Sequence, residues 1–154
     1  AKKGYELLLP SRGSYQRIKY EMAQEAFRTH SRWWSTKRSI ELKREHEKKY
    51  GFRYDLVISS RIDCIFKKAL SLESLNPQRI YASKRVGSSD LDYALIDFWF
   101  ISGSKNMDKF ATLYDHIHEY CIRPSFACRE HIKKVIGEEN LRFLLEPNVD
   151  YKKA

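Results

Sequence analysis

YDLVISSRIDCIF, the stretch from Tyr54 to Phe66, decides the fold. Its apolar run Leu56–Ile58 is typical of a buried β-strand, and a second apolar run begins at Cys64. Arg61 and Asp63 stand between the two runs. Burying either charge without a partner would be costly, so each must be paired, bind an ion or face a cleft. The stretch therefore predicts a strand that ends beside a polar recess.

The segments on either side of this strand predict an α/β domain. Helical spacing of apolar residues, β-propensity and the breakers Gly51, Pro124 and Gly137 define the elements. The predicted order is helices over 14–30 and 35–50, strands over 54–59, 79–82 and 97–102, helices over 107–121 and 125–136, and a strand over 141–145. We expect one domain covering residues 1–154, with the pairing of its strands left open.

Composition limits the class of protein. The chain has 154 residues, of which 42% are hydrophobic, so it can bury a core, and no apolar run reaches the roughly 20 residues of a membrane span. Three cysteines without C-x-x-C spacing favour a reducing, cytoplasmic setting. Serine hydrolase, zincin, P-loop and G-x-G-x-x-G motifs do not occur. Because the chain begins without Met, we expect it to be part of a longer protein.

The positive charge is concentrated at the N-terminal end. Residues 1–53 hold 14 Lys and Arg against 6 Asp and Glu, whereas residues 54–154 hold 15 against 14. A basic face of this kind attracts nucleic acid, an anionic membrane or a phosphorylated substrate. An ordinary solvated helix surface explains it equally well.

The spacing of Arg61 and Asp63 suggests a site for a phosphorylated ligand. Ligands of open α/β sheets gather at the carboxyl ends of strands, and Asp63 lies just past such an end. Its carboxylate could hold Mg²⁺ or Mn²⁺ on the phosphates of a nucleotide, while Arg61 could contact a phosphate directly. The alternative is a simple Arg61–Asp63 ion pair at a strand end.

Asp97 interrupts the apolar run YALIDFWFI, from Tyr93 to Ile101. A lone carboxylate in such a run needs hydrogen-bond donors, a metal ion or a role as general base. It could instead cap the start of a strand or accept hydrogen bonds from backbone amides in the preceding loop.

A second class of function is nucleic-acid binding by the basic segment. Aromatic residues interleaved with basic ones can stack on bases and contact phosphates. The residues concerned are Trp33, Trp34, Tyr50, Arg32, Lys37, Arg38, Lys43 and Arg44. Because Glu41, Glu45 and Glu47 dilute the positive field of the same segment, we expect nucleic acid not to be the partner.

Three segments together resemble GT-A-type nucleotide-sugar-dependent glycosyltransferases of bacterial surface-polysaccharide clusters and large DNA viruses. The first, SRWWSTKRSIELKREHEKKYGFRYDLVISSRIDCIF (Ser31–Phe66), carries the R-x-D element after the strand. The second, IDFWFISGSKNMDKFATLYDHI (Ile96–Ile117), carries an Asp before an aromatic strand and a Gly-Ser turn. The third, REHIKKVIGEENLRFL (Arg129–Leu144), resembles the closing helix and strand.

The resemblance implies a GT-A-like (Rossmann-like) mixed sheet flanked by helices, as a partial domain without the family's N-terminal strand region. It implies transfer of a sugar from a nucleoside diphosphate sugar to a glycan or other hydroxyl acceptor. R-x-D stands where the family has D-x-D, so Asp63 is implied as the contact for Mn²⁺ or Mg²⁺ and Arg61 as a donor contact. Asp97 is implied as the catalytic residue near the acceptor. The alternatives are a basic nucleic-acid-binding module and a catalytically inactive domain of the same fold.

Overall fold

A computed structural model describes residues 15–85, 94–120 and 124–154 of the chain. Its helices are α1 (Tyr15–Tyr50), α2 (Ser104–Ala111) and α3 (Pro124–Val135). Its strands are β1 (Val57–Ser60), β2 (Cys64–Phe66), β3 (Ile80–Lys84), β4 (Leu95–Ser102), β5 (Leu141–Phe143) and β6 (Tyr151–Lys153). Short 3₁₀ helices cover Leu72–Ser74, Thr112–Glu119 and Glu138–Asn140.

Four strands form a mixed sheet in the order β1-β4-β3-β5. Strand β4 pairs antiparallel with both β1 and β3, whereas β3 pairs parallel with β5. Strands β2 and β6 form a separate antiparallel pair. The prediction of an α/β fold with a mixed sheet and helices is therefore confirmed.

One continuous helix, α1, stands where two helices were predicted over 14–30 and 35–50. The predicted interruption at residues 31–34 was therefore wrong. No Gly or Pro lies between His30 and Ser35, and two serines are accommodated within the helix. Ser35 Oγ donates to the carbonyl of Ser31, and Ser39 Oγ donates to that of Ser35. Residue 14 lies outside the described residues. The helix ends at Tyr50, and Gly51 follows it with a φ of 70°, which suits the left-handed position after a helix.

The other predicted elements are present with shifted bounds. The strand predicted over 54–59 begins only at Val57, and the strands predicted over 79–82 and 97–102 are longer than expected. The helix predicted over 107–121 is α2 followed by a 3₁₀ helix that ends at Glu119; residues 121–123 lie outside the described residues. The strand predicted over 141–145 is β5, which stops at Phe143, and Leu145 has a φ of 64°, outside the β region. The pair of β2 and β6 was not predicted.

The sheet has a hydrophobic core on each face. On the helical face, Trp33 of α1 packs against Phe110 of α2 and Phe100 of β4, with ring centroids 5.7 and 6.1 Å away. On the other face, Trp99 of β4 packs edge-on against Tyr151 of β6. Alternate residues of β4 thus serve the two cores, as expected for a strand covered on both sides. α1 therefore lies over the sheet and beside the end of β1.

No helix among the described residues is both long enough and apolar enough to cross a membrane.

Candidate functional site

Arg61 and Asp63 lie in the turn that connects β1 to β2. The turn is fixed to the neighbouring strand, because the Arg61 backbone N–H donates to the carbonyl of Phe98 at 2.8 Å. Arg61 Nε and Nη2 donate to the two carboxylate oxygens of Asp63 at 2.7 and 2.6 Å. The two side chains are 29% and 30% exposed. The Arg61–Asp63 ion pair, which was the alternative interpretation, is therefore formed, and both of its side chains are partly exposed to solvent.

Asp97 brings this ion pair together with Arg32 of α1. Its Oδ2 lies 3.8 Å from Arg61 Nη1 and 3.6 Å from Arg32 Nε. Arg32 Nε and Nη2 also donate to the backbone carbonyl of Asp97, at 3.0 and 2.8 Å. The three residues that the sequence singled out for chemistry thus lie together around two guanidinium groups.

These residues border an open groove between α1 and the end of β1, which we call the α1–β1 groove. Its volume is about 550 Å³. It is lined by Ser31, Arg32, Ser35, Thr36, Ser39, Ser59, Ser60, Arg61, Ile62 and Asp63. Asp97 contacts both arginines but does not line the groove. The lining is therefore rich in hydroxyl groups and carries two cations and one carboxylate.

Arg61 keeps hydrogen-bonding capacity for a ligand. A guanidinium has five N–H groups, and Asp63 accepts from two of them. The 3.8 Å contact with Asp97 is too long to be a hydrogen bond. Among the described residues, the other three N–H groups therefore have no acceptor. The Phe98 ring lies 5.0 Å from the guanidinium carbon and supports its position.

The hydrogen bonds between Arg61 and Asp63 favour the ionised form of both side chains. The hydrogen bonds from Arg61 hold the pKa of the Asp63 carboxyl below its usual range. The same hydrogen bonds raise the pKa of Arg61. Burial lowers the pKa of Arg32, an effect that Asp97 opposes. Lys153 Nζ lies 3.8 Å from Asp63, so the formal charges of Arg61, Arg32 and Lys153 exceed those of Asp63 and Asp97 by one.

The donor set does not favour a metal ion in this arrangement. No group of three or more His, Cys, Asp or Glu that could hold a metal occurs in the described ranges. Arg61 donates to both oxygens of Asp63, so a metal ion on their remaining lone pairs would lie against the guanidinium charge. The expected binding of Mn²⁺ or Mg²⁺ to Asp63 stays a prediction.

The residues named for nucleic-acid binding do not form one stacking surface. Trp33 is 1% exposed and lies in the core. Trp34 and Tyr50 are exposed, but they lie 16 positions apart on α1, about 24 Å along its axis. The ammonium group of Lys43 is paired with Glu47 and Asp108. The structure thus separates the three aromatic residues from one another.

Sequence reasoning did not identify Arg32 as part of the site with Arg61 and Asp63. Its helical neighbour Trp33 is buried, which places Arg32 at the edge of the face that α1 turns towards the sheet. The serines at positions 31, 35 and 39 were the available signal, because small polar residues one turn apart leave room for a groove.

Comparison with known proteins adds no assignment: no family model, no curated protein and no solved structure matches this chain.

Proposed function

We propose that this chain is a nucleotide-sugar-dependent glycosyltransferase, or a part of one, in which the α1–β1 groove receives the diphosphate of the donor. The observation that carries the proposal is the Arg61 guanidinium, which Asp63 fixes at the groove with three N–H groups free of protein acceptors in the described ranges. A fixed guanidinium fork matches the oxygens of a phosphate. The mixed sheet and the R-x-D turn after β1 are compatible with a GT-A-like fold.

The reaction would use the charges of the site in two places. The acceptor hydroxyl oxygen forms a bond to the anomeric carbon while the bond from that carbon to the diphosphate oxygen breaks. The diphosphate leaves with the electron pair, and cations beside it stabilise the charge that develops. Arg61 and Arg32 would supply those cations.

The proton of the acceptor hydroxyl has to pass to a base. Asp97 is our candidate, since neither guanidinium contact to its Oδ2 is a hydrogen bond and the carboxylate is 18% exposed. Its lone pairs can therefore accept from a hydroxyl that approaches past Arg32 and Arg61, since Asp97 does not itself line the groove. The acceptor would be a glycan or another hydroxyl compound. A reducing, cytoplasmic setting is part of this proposal and agrees with the free thiols of Cys64 and Cys128.

A thermal-shift experiment tests the proposal. Uridine, adenosine, guanosine and thymidine diphosphates are each added with Mn²⁺ in excess, so that binding is detected with or without a metal requirement. We expect at least one of them to raise the melting temperature, because a ligand that binds only the folded state stabilises it. Asp63→Ala should abolish the shift, since the loss of Asp63 frees Arg61 to move.

The matched control is Asp115→Ala, which removes an ion pair with Lys37 that is not part of the groove. This variant should retain the full shift. If no nucleoside diphosphate alters melting of the wild-type chain, the proposal is wrong. Turnover assays with the corresponding nucleotide sugars then separate an active enzyme from an inactive relative of the same fold.

A further inference from the structure

The guanidinium of Arg61 lies between two carboxylates. Asp63 holds it through two hydrogen bonds, and Asp97 Oδ2 approaches its Nη1 to 3.8 Å. Two carboxylates that converge from neighbouring segments are the usual setting for a divalent cation, which takes oxygen ligands from both. Here one side chain of the same protein already occupies that position.

We infer that Arg61 replaces the divalent metal ion, so that the groove binds the diphosphate of its ligand without metal. This inference rests on the proposed function, because the ligand is the nucleoside diphosphate half of the donor. Asp63 is then a positioning residue that aims the guanidinium, and Arg61 is the residue that contacts phosphate.

The hydrogen-bond inventory supports this assignment. A metal ion on Asp63 would either displace two short charge-assisted hydrogen bonds or bind the remaining lone pairs against the guanidinium charge. The first costs some of the strongest hydrogen bonds in proteins, and the second brings two cations together. A phosphate, by contrast, can accept from the remaining Arg61 N–H groups while the Asp63 pair stays intact.

The charge balance also agrees. Arg61, Arg32 and Lys153 supply three positive charges around Asp63 and Asp97. The surplus of one favours an anion over a cation in the groove. In the transfer step, the anomeric carbon–oxygen bond breaks and the diphosphate keeps the electron pair. Arg61 would stabilise that charge through N–H donation, with no bond made to a metal.

A cation–π contact with Phe98 supports the position of the Arg61 guanidinium without a ligand. Its guanidinium carbon lies 5.0 Å from the centroid of the Phe98 ring, on the strand next to β1. A cation held by a carboxylate and an aromatic face loses little freedom on binding, and such preorganisation favours affinity.

The test compares nucleoside diphosphate binding in two buffers by isothermal titration calorimetry. The probe is whichever of the uridine, adenosine, guanosine and thymidine diphosphates binds best. One buffer contains EDTA and the other contains Mn²⁺ at saturation. We expect the wild-type Kd to agree between the buffers within about threefold, which is less than about 1 kcal/mol.

Binding that disappears in EDTA and returns with Mn²⁺ would overturn the inference while leaving the proposed function intact. Binding in neither buffer would overturn both.

Arg61→Asp is a second and more specific test, because this substitution creates the Asp-x-Asp spacing in the turn. We expect this variant to lose at least tenfold in diphosphate affinity in EDTA. We also expect it to bind Mn²⁺ alone, detected by electron paramagnetic resonance, whereas the wild-type chain should not. Wild-type uptake of Mn²⁺ that Asp63→Asn removes would contradict the inference without reference to any nucleotide.

Two controls accompany the variant. Arg61→Lys keeps the charge but not the fork, and it should weaken diphosphate binding in EDTA by about tenfold. Arg53→Asp makes the same change of charge at an exposed arginine that lies near Asp108 and outside the groove. It should leave diphosphate binding unchanged and bring no Mn²⁺ binding. An Arg61→Asp variant that matches the wild-type affinity in EDTA would show that Arg61 does not contact the phosphate.

Discussion

Arg32 on α1 holds the backbone carbonyl of Asp97 on β4 through two hydrogen bonds, of 3.0 and 2.8 Å, across 65 positions of the chain. The same arginine lies 3.6 Å from the Asp97 carboxylate and donates to Thr36 one turn further along its own helix. Because it is only 12% exposed, its charge depends on these partners. Arg32 therefore fixes α1 to the sheet at the point where the groove opens.

The first prediction concerns this contact. Arg32→Met should lower the free energy of unfolding by about 3 kcal/mol, since it leaves the Asp97 carbonyl without its two donors and the Asp97 carboxylate without one of its two neighbouring cations in a largely buried place. Urea unfolding followed by circular dichroism measures it. Arg38→Met, on an exposed arginine paired with Glu41 in the same helix, should cost less than about 0.5 kcal/mol. Equal costs for the two variants would contradict the role given to Arg32.

The second prediction separates the two roles open to Asp97. As a general base, it should contribute about 10²-fold or more to the rate of transfer. Asp97→Asn keeps the shape of the side chain, so we expect kcat to fall by that factor while nucleoside diphosphate affinity changes by less than about threefold. Steady-state kinetics with a nucleotide sugar and calorimetry with the diphosphate give the two numbers. A loss of affinity with an unchanged kcat would make Asp97 a positioning residue only.

The third prediction is a pH dependence of stability that arises at His131. This side chain is fully buried, with Nδ1 2.8 Å from the Tyr120 hydroxyl and Nε2 3.2 Å from the Lys109 carbonyl. The contacts fit a neutral ring that donates from Nε2 and accepts at Nδ1. Burial lowers the pKa of His131 from 6.5 to about 4.

Because the folded state prefers the neutral ring, its contribution is complete above pH 6.5 and is lost as the pH falls towards 4. The loss should reach about 3 kcal/mol at the acid end. Urea midpoints between pH 7 and 4 measure it, and His131→Gln should flatten this part of the profile. His118→Gln, on an exposed histidine, should leave the profile as it is. A profile that His131→Gln does not alter would assign the pH dependence to other groups.

The fourth prediction concerns the buried ion pairs at the C-terminal end of α1. Lys43 Nζ lies 3.1 Å from Glu47 Oε2 and 2.8 Å from Asp108 Oδ1, and Lys43 and Glu47 are 8% and 6% exposed. Lys43→Met should cost about 3 to 5 kcal/mol, because it leaves a buried carboxylate without its cation. Lys37→Met should cost less than about 1 kcal/mol, since the ion pair of Lys37 with Asp115 is at the surface. Denaturant unfolding of both variants decides between a structural network and ordinary surface pairing.

The sequence predicted those elements whose signal is local. The strand after Tyr54, the aromatic strand through Trp99 and the helix after Gly103 follow from β-propensity, apolar periodicity and a breaker, and all three are present. The break between the two N-terminal helices was wrong, because no Gly or Pro at positions 31–34 prevents a helix. The β2 and β6 pair escaped prediction because its partners lie more than 80 positions apart and each strand has only three residues.

The same distinction applies to the site. Arg61 and Asp63 could be identified from the sequence alone, because two charged residues within an apolar run need an ion-pair partner, a bound ion or a cleft. Their bidentate pairing, and the approach of Asp97, depend on the register that sets Ser60 opposite Trp99. Arg32 joins them only because α1 crosses the sheet beside that end of β1. Contacts of this kind arise from tertiary packing, which spacing along the chain does not specify.

The most direct measurement of the central claim is a map of where a nucleoside diphosphate binds. ¹H–¹⁵N correlation spectra of the labelled chain, recorded during titration, report each backbone amide. We predict that the shifts cluster at positions 31–39 and 59–63, which line the α1–β1 groove. Shifts confined to a small pocket lined by Arg44, Phe52 and Arg53 at the C-terminal end of α1, or an absence of shifts at Arg61 and Asp63 under saturation, would contradict this claim.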